Sequence, residues 1–223
     1  MNSVILFDVN ETLLDLSVLQ PHFDRIFGDA AVMQQWFSVL LHSSVVTTLV
    51  GAHQDFGSLA GAALDVVAAR RGIDLAEDER VAILGTVREL PPHPDVVPSL
   101  ERLRTAGLRL ATLTNSAPAM VSDQISNAGL SDYFEQLISV DEVRAFKPAP
   151  EPYRMAASKL GVDLEQVLLI AAHDWDVFGA LRAGCGAAFI ARGGRTYHPL
   201  YDKPDLIGPD LNRVTDQILE IDV

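Results

Sequence analysis

Val4-Ile5-Leu6-Phe7-Asp8-Val9-Asn10-Glu11-Thr12-Leu13 begins with an apolar run that stops at a carboxylate. A short run without polar alternation reads as a strand buried on both faces, the kind found inside a parallel sheet. Four further runs share that character: Leu108 to Thr114, Gln136 to Ser139, Val167 to Ala171 and Ala187 to Ala191. Between them lie helical segments with glycine at their ends. Arg102 to Ala106 stops at Gly107, Ala117 to Asn127 near Gly129, Glu151 to Leu160 at Gly161, and Trp175 to Ala183 at Gly184. Strand and helix in alternation predict an α/β protein built on a parallel sheet with helices on its faces.

Between Asp15 and Leu90 the rhythm breaks. Leu16 to Phe27, Ala31 to Leu49, Gly57 to Arg71 and Glu77 to Leu90 all read as amphipathic helices, with no convincing strand among them. Pro91-Pro92-His93-Pro94 then returns the chain to the sheet. The expected organisation is a sheet domain over residues 1–14 and 93–223, interrupted by a helical cap over 15–92. No internal repeat or low-complexity segment is visible.

The chain has 223 residues, 48% of them hydrophobic, enough for a substantial core. Thirty acidic against seventeen basic residues give a formal charge of -13. That field repels phosphate backbones and anionic lipid surfaces, so neither nucleic acid nor membrane is an expected partner. An anion site in such a protein needs local positive potential from a lysine, backbone N–H groups or helix N-termini. The single Cys185 forms no disulfide framework, and no signal peptide or spanning segment is read, so the expected compartment is the cytoplasm.

Ligands of open parallel sheets sit beyond the carboxyl ends of the strands. Here those ends carry Asp8 to Leu13, Thr114-Asn115-Ser116, Phe146-Lys147-Pro148 and Ala171-Ala172-His173-Asp174-Trp175-Asp176. Asp8 alone would read as a turn or cap residue. A carboxylate buried at a strand end needs a cation and hydrogen-bond donors, however, and Lys147 with backbone N–H groups could supply them. So held, Asp8 stays ionised and nucleophilic at neutral pH.

In order and spacing these four strand-end motifs resemble those of the haloacid dehalogenase superfamily across essentially the whole chain. The chain is most similar to the type II 2-haloacid dehalogenases, through Asp8-x-x-x-Thr12-Leu13, Lys147-Pro148, Tyr153 and Trp175-Asp176. The resemblance implies a Rossmann-like core with an inserted cap. It also implies Asp8 as nucleophile, Thr12 as its supporting hydroxyl, Lys147 as the cation and Asp176 as the acid of the fourth motif. Thr114 and Asn115 match donors to the substrate anion, and Tyr153 a pocket tyrosine. Bland readings stand beside these: Thr12 and Thr114 as turn residues, Tyr153 as helix packing, Asp176 as an N-cap.

Magnesium-dependent phosphatases of the superfamily carry a second Asp where this chain has Asn10, and a Gly-Asp pair where it has Ala171-Ala172. An amide cannot act as a general acid, and the loss of carboxylates disfavours Mg²⁺. Halide leaves as a stable anion and needs no proton. The expected function is therefore metal- and cofactor-independent dehalogenation of short 2-haloalkanoic acids through an aspartyl ester. A magnesium-dependent phosphohydrolase using Asp8 with Asp174 or Asp176, and a catalytically idle relative that only binds a small anion or a protein partner, are the alternatives.

Several positions depart from the dehalogenase pattern. Phe37 stands where the cap arginine is expected, Asn10 for a tyrosine, Glu11 for a glycine, and Ala171-Ala172-His173 for Ser-Ser-Asn. His173 could orient or deprotonate the hydrolytic water, or only hydrogen-bond within its loop. Asn10, Phe37 and Trp175, with Trp36, could wall the substrate pocket or simply pack. A homodimer is compatible with the resemblance.

Overall fold

The computed structural model describes residues 4–221. Six strands, β1 (Val4–Phe7), β2 (Arg109–Thr114), β3 (Gln136–Ser139), β4 (Val167–Ala171), β5 (Gly186–Ile190) and β6 (Leu206–Gly208), form one sheet in the order β3-β2-β1-β4-β5-β6. Every pairing is parallel. β1 is central, with Phe7 level with Thr112 on one side and Ile170 on the other. The strand order reverses at β1 and β4, and a crevice opens where their outgoing loops diverge.

All four β1 side chains are buried, each contributing about 1.5–3 kcal/mol on leaving water. Slipping the register by one residue would forfeit much of this, so the position of Asp8 just beyond the strand is strongly determined. Helices α5 (Val96–Thr105), α6 (Pro118–Asn127), α7 (Pro150–Leu160), α8 (Asp174–Ala183) and α9 (Leu211–Ile221) complete the αβ repeats. Gly179 on α8 permits a close approach, because a Cβ there would lie 2.5 Å from Pro148 Cβ and 2.7 Å from the Tyr153 hydroxyl.

Between β1 and α5 come only helices: α1 (Gln20–Phe27), α2 (Val32–Leu49), α3 (Phe56–Arg70) and α4 (Glu77–Thr86), with short 3-10 turns at Leu16–Leu19 and Val87–Glu89. Trp36 on α2 donates its indole N–H to Ala60 O on α3 at 2.9 Å, locking the pair. Thr48 Oγ1 near the end of α2 accepts the Phe146 N–H at 3.0 Å, tying that helix to the loop that carries Lys147.

Three expectations change. The segment read from Arg102 begins at Val96, since Pro98 falls in the first turn, where its missing N–H costs nothing. The segment read from Leu16 begins as a 3-10 turn because Asp15 caps it locally, accepting from Ser17 N at 2.9 Å. β6 and α9 were not anticipated; the three-residue Leu206–Gly208 edge strand is too short to show a hydrophobic period. Among the described residues no helix is long and apolar enough to cross a membrane.

Candidate active site

The Asp8 N–H donates to Ile170 O at 3.1 Å, extending the ladder one step and leaving the side chain in the crevice. Three side chains receive its carboxylate. Lys147 Nζ lies 2.9 Å from Oδ1, while Thr12 Oγ1 at 2.7 Å and His173 Nδ1 at 3.1 Å share Oδ2. The expected backbone N–H donors are therefore replaced, among the described residues, by side chains. The Ala172 N–H donates to Thr12 Oγ1 at 2.9 Å, and Thr12 passes the polarity on to Asp8.

Burial pushes the Asp8 carboxyl up, but Lys147 and His173 outweigh it and hold the group well below the usual carboxylate range. Lys147 is only 1% exposed and also donates to Asp176 Oδ2 at 2.5 Å and to Leu113 O at 2.9 Å. Burial alone would lower its pKa; Asp176 and Asp8 together raise it. Asp176 accepts from the Tyr153 hydroxyl at 2.6 Å. Its own burial, with Asp8 nearby, raises its pKa despite Lys147, so Asp176 is protonated before Asp8 on acidification.

His173 bridges two acids. Its Nε2 lies 2.9 Å from Glu11 Oε2, and Glu11 Oε1 pairs in turn with Arg195. Burial alone would lower the His173 pKa, but hydrogen bonds to Asp8 and Glu11 lift it to about 9. The ring is thus an imidazolium at neutral pH, and its contacts extend well beyond its own loop. Glu11, pushed up by burial but pulled down more strongly by His173 and Arg195, falls to about 2. Six formal charges balance in this cluster: Asp8, Asp176 and Glu11 against Lys147, His173 and Arg195.

Neither Glu11 nor Arg195 was singled out as a site residue. A signal for Glu11 was present, since it stands where the resembling family carries glycine, and its φ of 62° lies in the left-handed region that favours glycine. Arg195 follows Gly193-Gly194 after β5 and offers no comparable mark.

Thr114, Asn115, Phe37 and Trp175 border a space of about 10 Å³ at Asp8. Thr114 Oγ1 accepts from Ser116 N at 3.1 Å and Asn115 Oδ1 from Lys147 N at 3.0 Å, which fixes both side chains. The His173 ring stacks against Trp175 with centroids 5.1 Å apart and lies 6.0 Å from Phe37. Asn10 is drawn sideways: its amide donates to Ser116 Oγ at 3.3 Å, and its carbonyl accepts from Gln124 Nε2 at 2.9 Å. Beyond His173 lies an outer cavity of about 410 Å³, lined in part by Glu11, Gln34, Asp174 and Arg195.

Asp174 accepts from Trp175 N at 2.8 Å and lines that outer cavity, while Asp176 is engaged by Lys147 and Tyr153. Among the described residues no three His, Cys, Asp or Glu side chains converge as a metal-binding group. The donor set does not fit Mg²⁺, since Asp8 and Asp176 are both engaged by Lys147 and Asp174 stands apart in the outer cavity.

A pH dependence follows from His173. Its folded pKa of about 9 exceeds the ordinary 6.5, so its stabilising contribution is complete below 6.5 and is lost as pH rises through about 9. Wild-type Tm should fall over that window, and His173→Asn should flatten the fall. Equal slopes in the two proteins would exclude this His173 coupling.

A doubly wound parallel sheet with an ionised aspartate, a lysine and an imidazolium at its topological switch defines an α/β enzyme acting through a carboxylate. The family model for haloacid dehalogenase-like hydrolases matches residues 3–184, and the chain belongs to that family. It is 32% identical over 194 residues to an (S)-2-haloacid dehalogenase of Xanthobacter autotrophicus, covering 86% of this chain and 76% of that one. An (S)-2-haloacid dehalogenase of Pseudomonas sp. (strain YL) is 30% identical, covering 90% of this chain and 88% of its own. The structure of the L-2-haloacid dehalogenase from Xanthobacter autotrophicus with chloropropionic acid covalently bound superimposes with a TM-score of 0.89 at 28% identity, covering 98% of this chain and 99% of that one.

Proposed function

We propose that the chain hydrolyses 2-haloalkanoic acids to 2-hydroxy acids through an ester on Asp8, without metal. The observation that carries this reading is the buried Asp8 carboxylate held ionised by Lys147, Thr12 and His173. It is supported by the covalent chloropropionic acid in the similar Xanthobacter structure.

One Asp8 oxygen attacks C2 of the acid. A new C–O bond forms as the C–halogen pair leaves with the halide. Asn115 and Thr114, which border the space at Asp8, would donate to the substrate carboxylate, while the three N–H bonds of Lys147 stay on Asp8, Asp176 and Leu113 O. Ester formation removes the negative charge that helped keep the His173 proton; burial then lowers the pKa of His173, and the Nδ1 proton departs to solvent. Neutral His173, its Nε2–H still on Glu11, takes a proton from water as that water attacks Asp8 Cγ. Lys147 Nζ faces the carboxyl and receives the charge that develops on the carbonyl oxygen. The intermediate expels the 2-hydroxy acid, whose oxygen takes the remaining proton, and Asp8 and imidazolium are restored. Tyr153 and Asp176 orient Lys147, and Phe37 and Trp175 flank the His173 ring.

In this reading the helices of residues 15–92 are the cap, covering a sheet domain of 1–14 and 93–223. Exposed Val45, Val46, Leu49 and Val50 near the end of α2 support association of two copies. The free Cys185, buried and with its thiol pushed up to about 12, fits a reducing cytoplasm.

The test is halide release from 2-chloropropanoate and 2-bromopropanoate with and without chelator. Release should be equal in both conditions. Phosphate-ester hydrolysis that requires Mg²⁺, with no halide released, would overturn the reading.

A further inference from the structure

The space at the nucleophile is too small for the acid it is to receive, because about 10 Å³ holds roughly one water. Three of its walls, Asn10, Phe37 and Phe56, are shared with a separate cavity of about 350 Å³. That volume falls within the range of small-molecule sites, about 300–1,000 Å³. The second cavity starts beside Asn10 and Ser116, at the carboxyl ends of β1 and β2, and runs between α2, α3 and α6. Leu16, Trp36, Leu40, Ala60, Leu84 and Met120 wall it. Charge enters only through Asp55 and Arg88, both exposed, which places them at its solvent end.

Asn10 is the polar part of the wall the two spaces share, with Phe37 and Phe56 as the rest, and Gln124 and Ser116 hold its short amide to one side. With the acid's carboxylate near Asn115 and its C2 at Asp8, the third substituent on C2 has this apolar space beside it. A water-sized group takes about 30 Å³, and an apolar cavity of about 150 Å³ already admits benzene.

We propose that this cavity takes the C2 substituent of the substrate, so that the chain acts on 2-halo acids with a tail of about six to ten carbons or an aryl group. The proposal rests on the dehalogenase reading. Burial of one methylene is worth about fourfold in kcat/KM, and 2-bromooctanoate carries five more than 2-bromopropanoate.

The experiment compares halide release from these two acids. With part of the tail buried, kcat/KM for 2-bromooctanoate should be at least ~30-fold higher, mainly through KM. Ala60→Leu fills the buried middle of the cavity and Ala119→Trp covers its exposed mouth, so at least one variant should fold. Each should cut kcat/KM for 2-bromooctanoate about tenfold or more and leave 2-bromopropanoate within about twofold. Equal kcat/KM for the two acids, or equal losses on both in the folded variants, would overturn the proposal.

Calorimetry with octanoate and propanoate separates the two claims. Octanoate should bind wild type more tightly, and Ala60→Leu or Ala119→Trp should remove the difference. If neither bromo acid releases halide yet octanoate keeps this advantage, the dehalogenase reading fails and the cavity stands as an acyl-tail site. If octanoate binds no better than propanoate, the cavity proposal fails whatever the halide assay gives.

Discussion

Asp8→Asn should lower halide release on the order of 10⁴-fold or more while leaving the protein folded. An amide has nearly the shape of the carboxylate but no nucleophilic charge. The variant also has a second use, since its neutral side chain carries the charge state of the ester. His173 then keeps only Glu11 as an acidic partner, and burial opposes its proton. Its pKa, about 9 in the wild type, should fall toward the ordinary 6.5. An NMR titration of the His173 ring checks this. A ring that still titrates near 9 in Asp8→Asn would remove its role as base in ester hydrolysis, and a tenth of wild-type halide release would remove Asp8 as nucleophile.

Lys147→Ala should have the largest effect on stability. The ammonium is the cation between the Asp8 and Asp176 carboxylates, at 2.9 and 2.5 Å, with almost no access to water. Removing one partner of a buried ion pair costs about 3–5 kcal/mol, because the remaining charge is uncompensated. For a chain of this size that is roughly 6–20 °C in Tm. One carboxyl would protonate, and halide release should fall about 10³-fold or more as Asp8 loses its charge and the cation that holds it ionised. Lys147→Arg should recover stability better than rate, since a planar fork cannot meet Asp8, Asp176 and Leu113 O as a compact ammonium does. Wild-type Tm and kinetics in Lys147→Ala would show the pair to be energetically idle.

Much of the architecture was legible in one dimension because burial on both faces writes itself as unbroken apolar runs. The strands beginning at Val4, Arg109, Gln136, Val167 and Gly186 agree with that reading to within a residue or two. β6 and α9 escape it, one too short for any period and the other lying beyond the last long apolar run. The strand-end rule likewise brings Asp8, Thr12, Asn115 and Lys147 to one crevice, because a parallel sheet gathers the ends of its strands at one edge.

What the chain alone determined was therefore five strands of the sheet and the gathering of a carboxylate and a lysine at their ends. Only the tertiary structure decided the electrostatics. That His173 faces Asp8 on one side and Glu11 on the other, and that Glu11 holds Arg195, depends on side chains up to 184 positions apart meeting in space. No local pattern encodes such a chain of charges. The space beside Asn10 is of the same kind, since a cavity is where side chains of several elements fail to meet, and that follows from packing rather than from any one stretch of residues.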